Sequence, residues 1–221
     1  MNQNPFGVLF DLDGTLLDTA PDLGAALNHV LAIHSLPTLA YEDYRNVASH
    51  GAAGLLKLGF KELLDDYDPN TLREQFLTYY NDHLCVDTRM FDGIDRLIRA
   101  LDERNVPWGI VTNKPGWLTD ALLPHFEAFT NCKVVISGDT LDERKPHPLP
   151  LIHAGETIRL PADKIYYVGD AERDIQAANA AGMISVLAQY GYIRDEDNIN
   201  DWEANHIVPT VASLIELLII R

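Results

Sequence analysis

The stretch FDLDGTLLDT, residues 10–19, decides how the rest of the chain is read. It completes the apolar run Phe6, Val8, Leu9 and Phe10, so a strand ends there and a turn begins, with Gly14 free to take positive φ and Thr15 after it. Residues i and i+2 of an extended segment point to the same side, so Asp11 and Asp13 place two carboxylates in one small space at a strand's C-terminal edge. That placement suits a metal and a nucleophile.

From Asp18 onward the apolar period becomes helical. Leu23, Ala26, Leu27, Val30 and Leu31 share one face, and Pro21 fits a first turn. Asp43 to Val47, Leu55 to Leu64 and Leu72 to Tyr80 also read as helix, so the block from 18 to 88 is expected to be all-helical. Beyond it, helix and strand alternate. A helix carries Ile94, Leu97, Ile98 and Leu101, and the run Val106 to Val111 ends at Thr112. Trp117 to Leu123 is helical, followed by strand Lys133 to Ser137, helix Leu149 to Ile158 and strand Ile165 to Val168. A further helix closes at Gly182, where a left-handed cap is expected, and strand Ile184 to Leu187 completes the series.

Strands alternating with helices predict an α/β fold with a Rossmann-like, doubly wound parallel sheet. Residues 1–17 and 89–221 would form this core. The helical block 18–88 would be a cap inserted after the first strand, joined by short crossings near Leu17 to Asp18 and Thr88 to Phe91.

A length of 221 residues with 47% hydrophobic content is enough for a sizeable core. The formal net charge of −16 argues against nucleic acid and anionic membranes, whose affinity for proteins rests on clustered Lys and Arg. Cys85 and Cys132 lack metal-ligand spacing, and MNQNPFGVLF lacks the basic flank and apolar stretch of a signal peptide, so a cytoplasmic protein with free thiols is expected. The apolar tail Leu214 to Ile220 falls far short of the ~20 residues that span a bilayer and reads as a terminal helix on the core. The expected state is a monomer or homodimer acting on a small molecule.

Open α/β sheets bind ligands beyond the C-terminal ends of their strands. Four polar clusters collect at such ends: Asp11 with Asp13, Thr112 with Asn113 and Lys114, Lys145 in ERKPHP, and Asp170 with Asp174. These residue types fit phosphoryl transfer. Asp11 is the candidate nucleophile and Asp13 the acid that protonates the leaving alkoxide and then the base that activates water. Mg²⁺ takes oxygen ligands from one or two carboxylates and substrate phosphate, so Asp11, Asp170 and the Asp13 main-chain carbonyl form its candidate set. Thr112 and Lys145 would meet the charge on the transferring group. Simpler readings stand beside these: Asp13-Gly14 as an ordinary turn, Asp170 and Asp174 as helix N-terminal residues, and Asn113 and Lys114 as a polar entry to a helix.

With these residues in place, the chain resembles the haloacid dehalogenase superfamily, in its phosphatase branch with a helical cap. DLDGTLLDT (11–19), VTNKP (111–115), KPHP (145–148) and GDAERDIQAANAAGM (169–183) look like its four motifs in order. The resemblance implies Asp11 as nucleophile and metal ligand, Asp13 as acid/base and carbonyl ligand, and Thr112 and Lys145 as phosphoryl binders. It also implies Asp170 as a third metal ligand and Asp174 as either a ligand or an orienter. Within that branch, QYGYIRDEDNINDW (189–202) is similar to the N-acetylmuramic acid 6-phosphate phosphatases, with the phosphoglycolate phosphatases the other near group. The implied activity is Mg²⁺-dependent phosphomonoester hydrolysis; the alternative to the first substrate is 2-phosphoglycolate, and the alternative reaction a sugar phosphomutase on the same fold. In SHGAAGLL (49–56), Ala53 stands where relatives often carry a basic residue, leaving Lys57 or His50 as the substitute.

Overall fold

The computed structural model describes residues 5–194 and 196–220. Residues 1–4 of the N-terminal stretch and Asp195 within 189–202, both used in the readings above, lie outside the described residues. In chain order, β1 (Gly7–Phe10) and the short β2 (Leu17–Asp18) lead into helices α1 (Ala20–Ile33), α2 (Tyr41–Tyr44), α3 (Gly51–Phe60) and α4 (Pro69–Asp82), and β3 (Arg89–Met90) follows. Then come α5 (Ile94–Glu103), β4 (Trp108–Val111), α6 (Gly116–Leu122), β5 (Val135–Ile136), α7 (Leu149–Thr157), β6 (Ile165–Gly169), α8 (Glu172–Ala180), β7 (Ile184–Ala188), β8 (His206–Val208) and α9 (Val211–Ile219).

Six strands form one parallel sheet in the order β5-β4-β1-β6-β7-β8. The chain steps outward from β1 through β4 to β5, then returns to β6 on the other side, so the strand order reverses at β1. That reversal opens a crevice at the C-terminal end of β1, where Asp11 begins. All four residues of β1 are buried, as a central parallel strand covered on both faces requires. Its side chains alternate: Val8 and Phe10 join Trp108, Val168, Ile98 and Leu214 on one face, while Leu9 joins Val111, Leu151 and Tyr167 on the other. Burial of each such large apolar side chain stabilises the fold by about 1.5–3 kcal/mol.

The helical block has its own core. Leu72, Phe76 and Tyr80 recur every four residues along α4 and pack with Leu27 and Leu31 of α1 and Phe60 of α3. Asp68 caps α4, accepting the Thr71 N–H at 2.8 Å. Two expected helices are displaced. The helical reading of 43–47 becomes α2 followed by a 3-10 turn over Arg45–His50, and the expected helix through Leu64 stops at Phe60, after which Lys61 takes a positive φ of 50° and a 3-10 turn runs to Asp66.

The expected crossings near 17–18 and 88–91 are β2 and β3 themselves, an antiparallel ribbon pairing Leu17 with Met90 and Asp18 with Arg89. Asp22 fixes the second crossing, accepting the Asp87 N–H at 2.9 Å and the Thr88 N–H and hydroxyl at 3.0 and 2.6 Å. Strand β4 starts two residues later than its apolar run, after Pro107, which has no N–H to give to a ladder. Strand β8, three residues with His206 and a part-exposed Ile207, had no apolar pattern to announce it. Gly182 takes the expected positive φ of 72° after α8, and Cys85 and Cys132 are unpaired. Among the described residues, no helix is long and apolar enough to cross a membrane.

Candidate active site

The turn after β1 brings the backbone tight against the end of β6. Gly14 has φ of 84°, and a Cβ there would lie 2.1 Å from Asp170 Oδ2, so the DGT turn admits only glycine at that position. Asp11 is buried beside it. Its Oδ1 accepts the Leu12 N–H at 2.7 Å and faces Lys145 Nζ at 2.9 Å, while no described residue hydrogen-bonds its Oδ2.

Lys145 is 2% exposed and its ammonium is enclosed by oxygens. Beyond Asp11 it meets Asp174 Oδ1 at 2.8 Å, the Val111 carbonyl at 2.8 Å and the Tyr167 hydroxyl at 2.8 Å. Its main chain is clamped by Asn113, whose Nδ2 donates to the Lys145 carbonyl at 2.8 Å and whose Oδ1 accepts the Lys145 N–H at 3.1 Å. The Asn113 amide is thereby committed to holding Lys145 in place. Thr112, at the end of β4, accepts the Lys114 N–H at 3.2 Å through its hydroxyl, which lies on the same cavity.

Lys114 links the two halves of the molecule. Its Nζ lies 3.1 Å from Asp13 Oδ1 and donates to the Tyr80 hydroxyl of α4 at 2.9 Å. Burial alone would lower the Lys114 pKa, but Asp13 and Tyr80 outweigh it and hold the ammonium above its ordinary value. Burial pushes Tyr80 up to about 12, keeping it a neutral hydroxyl.

Asp170 follows β6 and is fully buried. Its Oδ2 accepts the Ser49 hydroxyl at 2.6 Å and the Tyr192 N–H at 2.9 Å, whereas its Oδ1 has only a long 3.4 Å contact from Thr15 Oγ1. Asp174 is the third residue of α8; its Oδ2 accepts the Ala171 N–H at 3.0 Å and its Oδ1 the Tyr167 hydroxyl at 3.2 Å. Oxygens of Asp11, Asp170 and Asp174 lie within 4.8 Å of one another.

This crowding of like charge sets the protonation of the site. Burial, opposed by Lys145, raises Asp11 to about 6, and burial together with the Asp11 and Asp174 charges raises Asp170 to about 7. Burial acts on Asp174 too, but Lys145 and Arg173 outweigh it and hold that carboxylate below its ordinary value. A buried set of hard oxygen donors, with a lone pair on Asp170 Oδ1 barely used and a charge excess that two carboxylates relieve only by taking up protons, fits a divalent cation.

The topology therefore gathers the residues of all four polar clusters around one cavity or directly behind it: Asp11, Asp13, Thr112, Asn113, Lys114 and Lys145 line it, and Asp170 and Asp174 back it. His50 lines the cavity as well; Lys57 does not. Sequence reasoning missed Ser49, Tyr80, Arg173 and Tyr167. Tyr80 carried a signal in its helical spacing from Phe76, and Tyr167 in its place among the inward residues of β6. Ser49 and Arg173, whose guanidinium donates to the Ser49 carbonyl, carried none, because their meeting depends on how the helical block seats.

The haloacid dehalogenase-like hydrolase family model matches residues 8–188. The phosphoglycolate phosphatase of Xanthomonas campestris pv. campestris is 43% identical over 212 residues, covering 96% of each chain. The N-acetylmuramic acid 6-phosphate phosphatase of Pseudomonas aeruginosa is 36% identical over 211 residues, covering 96% of this chain and 93% of its own. Among solved structures, that of a predicted phosphoglycolate phosphatase from Haemophilus somnus superposes with a TM-score of 0.86 at 26% identity, covering 97% and 98% of the two chains. A carboxylate cluster at the reversal point of a parallel sheet, a buried lysine against its first aspartate, and a family match spanning both are one result seen three ways: the chain belongs to the haloacid dehalogenase-like hydrolases and is a phosphatase of that family.

Proposed function

We propose that the chain is a Mg²⁺-dependent phosphomonoester hydrolase working through an aspartyl phosphate on Asp11, with N-acetylmuramic acid 6-phosphate as its preferred substrate. The observation that carries the chemistry is the asymmetry of Asp11: one oxygen is fixed by Leu12 and Lys145, and the other is free of hydrogen bonds among the described residues. A free carboxylate oxygen on a fixed carboxyl group is an oriented nucleophile.

In the first step Asp11 Oδ2 attacks phosphorus, the ester P–O bond breaks, and the leaving alkoxide takes a proton from Asp13. In the second, Asp13 takes a proton from water, the hydroxide attacks the same phosphorus, and the Asp11 carboxylate leaves as inorganic phosphate is released. Lys145 and Thr112 stabilise the phosphoryl oxygens throughout, and Asn113 acts by positioning Lys145. Asp11, Asp170 and the Asp13 carbonyl would hold Mg²⁺, which supplies a hard positive charge between carboxylates and phosphate. Asp174, with both oxygens engaged by Lys145, Tyr167 and Ala171, serves as an orienter of Lys145.

The cavity of about 670 Å³ supports the larger substrate, since pockets of about 300–1,000 Å³ hold drug-sized ligands and a two-carbon ester fills little of one. The 43% identity to a phosphoglycolate phosphatase favours 2-phosphoglycolate as the second reading. Values of kcat/KM for the two esters and for hexose phosphates decide between them. The hydrolase itself is tested by Asp11→Asn: phosphate release should vanish while the thermal midpoint is kept. Release that persists in EDTA, or phosphoryl return to a sugar in place of steady phosphate release, overturns the reading.

A further inference from the structure

Arg73, Lys114, Arg144, Lys145 and Arg173 all line this same cavity, in a chain that carries 17 Lys and Arg against 33 Asp and Glu. Three of them are already engaged. Lys145 is enclosed by Asp11, Asp174, Val111 and Tyr167, Lys114 is held by Asp13 and Tyr80, and Arg173 donates to the Ser49 carbonyl. Arg73 and Arg144 make no side-chain hydrogen bond or ion pair among the described residues. In so acidic a chain, a guanidinium that faces a cavity without a carboxylate partner is available to an anion from solution.

The two lie at different depths. Arg144 is one residue from the clamped Lys145 and so belongs to the reactive end. Arg73 lies on α4 with Phe76, Leu77 and Tyr80, which also line the cavity, at the i, i+3, i+4 and i+7 spacing of one helix face. Tyr80 marks the reactive end of that face through Lys114 and Asp13. Seven residues of helix put Arg73 about 10 Å from it along the axis. The space between is bordered by the apolar side chains Phe76 and Leu77.

Resting on the phosphatase reading, we propose that Arg73 is the specificity residue for a second anionic group: the substrate is a phosphomonoester whose carboxylate stands about one sugar ring from phosphorus, and Arg73 binds that carboxylate.

The test compares wild type, Arg73→Met and Arg73→Lys on three esters at saturating Mg²⁺: N-acetylmuramic acid 6-phosphate, N-acetylglucosamine 6-phosphate, which lacks the lactyl carboxylate, and 2-phosphoglycolate. Loss of a charge-assisted pair should lower kcat/KM of Arg73→Met on the first ester about 10- to 100-fold, through KM, with Arg73→Lys losing less. The other two esters should be processed by the variants as by wild type. Equal losses on all three, or none on the first, overturn the subsite, as does wild-type turnover of 2-phosphoglycolate alone, which leaves the phosphatase reading standing. No phosphate release from any ester overturns that reading and the subsite with it.

Discussion

Ser49 Oγ donates a 2.6 Å hydrogen bond to Asp170 Oδ2, so a residue of the helical block touches the carboxylate cluster of the sheet directly. Arg173 reinforces the same point by donating to the Ser49 carbonyl, and Arg45, in the same 3-10 turn, donates to the Gly191 carbonyl at 3.1 Å and the Tyr190 carbonyl at 3.3 Å. The turn Arg45–His50 is therefore the part of the cap that reports whether it is seated over the site.

Ser49→Ala should weaken that seating without harming either core. A hydrogen bond to a charged group contributes about 1.5–3 kcal/mol, so the seated form should lose population and KM should rise by roughly tenfold or more. Steady-state kinetics at saturating Mg²⁺ measures it, and a wild-type KM would mean that the contact does not position the cap.

Lys145→Ala should cost stability as well as activity. Lys145 is 2% exposed and its ammonium sits between Asp11 and Asp174, so its removal leaves Asp11 without its ion-pair partner and Asp174 with Arg173 alone, a change of about 3–5 kcal/mol. For a chain of this length that corresponds to a fall of roughly 6–20 °C in the thermal midpoint. Calorimetry of the metal-free protein reads it, because added Mg²⁺ would offset part of the charge. A variant that melts with the wild type contradicts the burial argument.

Asp22→Ala should loosen the joint between block and sheet. The carboxylate receives the Asp87 N–H and the buried Thr88 N–H and hydroxyl, and each of the two buried Thr88 donors left without a partner costs about 1–3 kcal/mol. The expected signature is faster amide exchange at Asp87 and Thr88 with the β1 amides still protected. Loss of protection across the whole sheet would show that the joint is part of the global unfolding unit instead.

How much of this was legible in the sequence follows from what each feature depends on. The strands β1, β4, β6 and β7 announce themselves because a central parallel strand must be apolar on both faces, and the catalytic candidates because the topology delivers strand ends to one edge. The ribbon β2–β3 and strand β8 are too short to hold a period. Ser49 and Arg173 are polar residues whose role comes from the seating of one core on another, a relation no local pattern encodes. The commitment of Asn113 to the Lys145 backbone is of the same kind: its place beside Thr112 at a strand end is local, but its partner lies 32 positions away.

The raised carboxylates make stability depend on pH and metal together. Burial and the neighbouring carboxylate charges hold Asp11 and Asp170 up to about 6 and about 7 in the folded protein, against an ordinary value of 3.8, so between those values the folded state binds more protons than the unfolded one. Their contribution is fully present below about pH 4 and is lost as pH rises through 6 to 7, opposite in sign to that of the depressed Asp174. Asp170→Asn removes one of these groups and keeps an acceptor for Ser49 and Tyr192. Without metal it should therefore melt above the wild type at pH 7.5, with the gap closing as pH falls toward 4. Mg²⁺ competes with the same protons, so it should raise the wild-type midpoint more at pH 7.5 than at pH 5 and raise that of Asp170→Asn much less. Thermal scans at four pH values with and without Mg²⁺ give all of these differences, and an Asp170→Asn protein less stable than the wild type at pH 7.5 without metal would remove the charge-crowding account of the site.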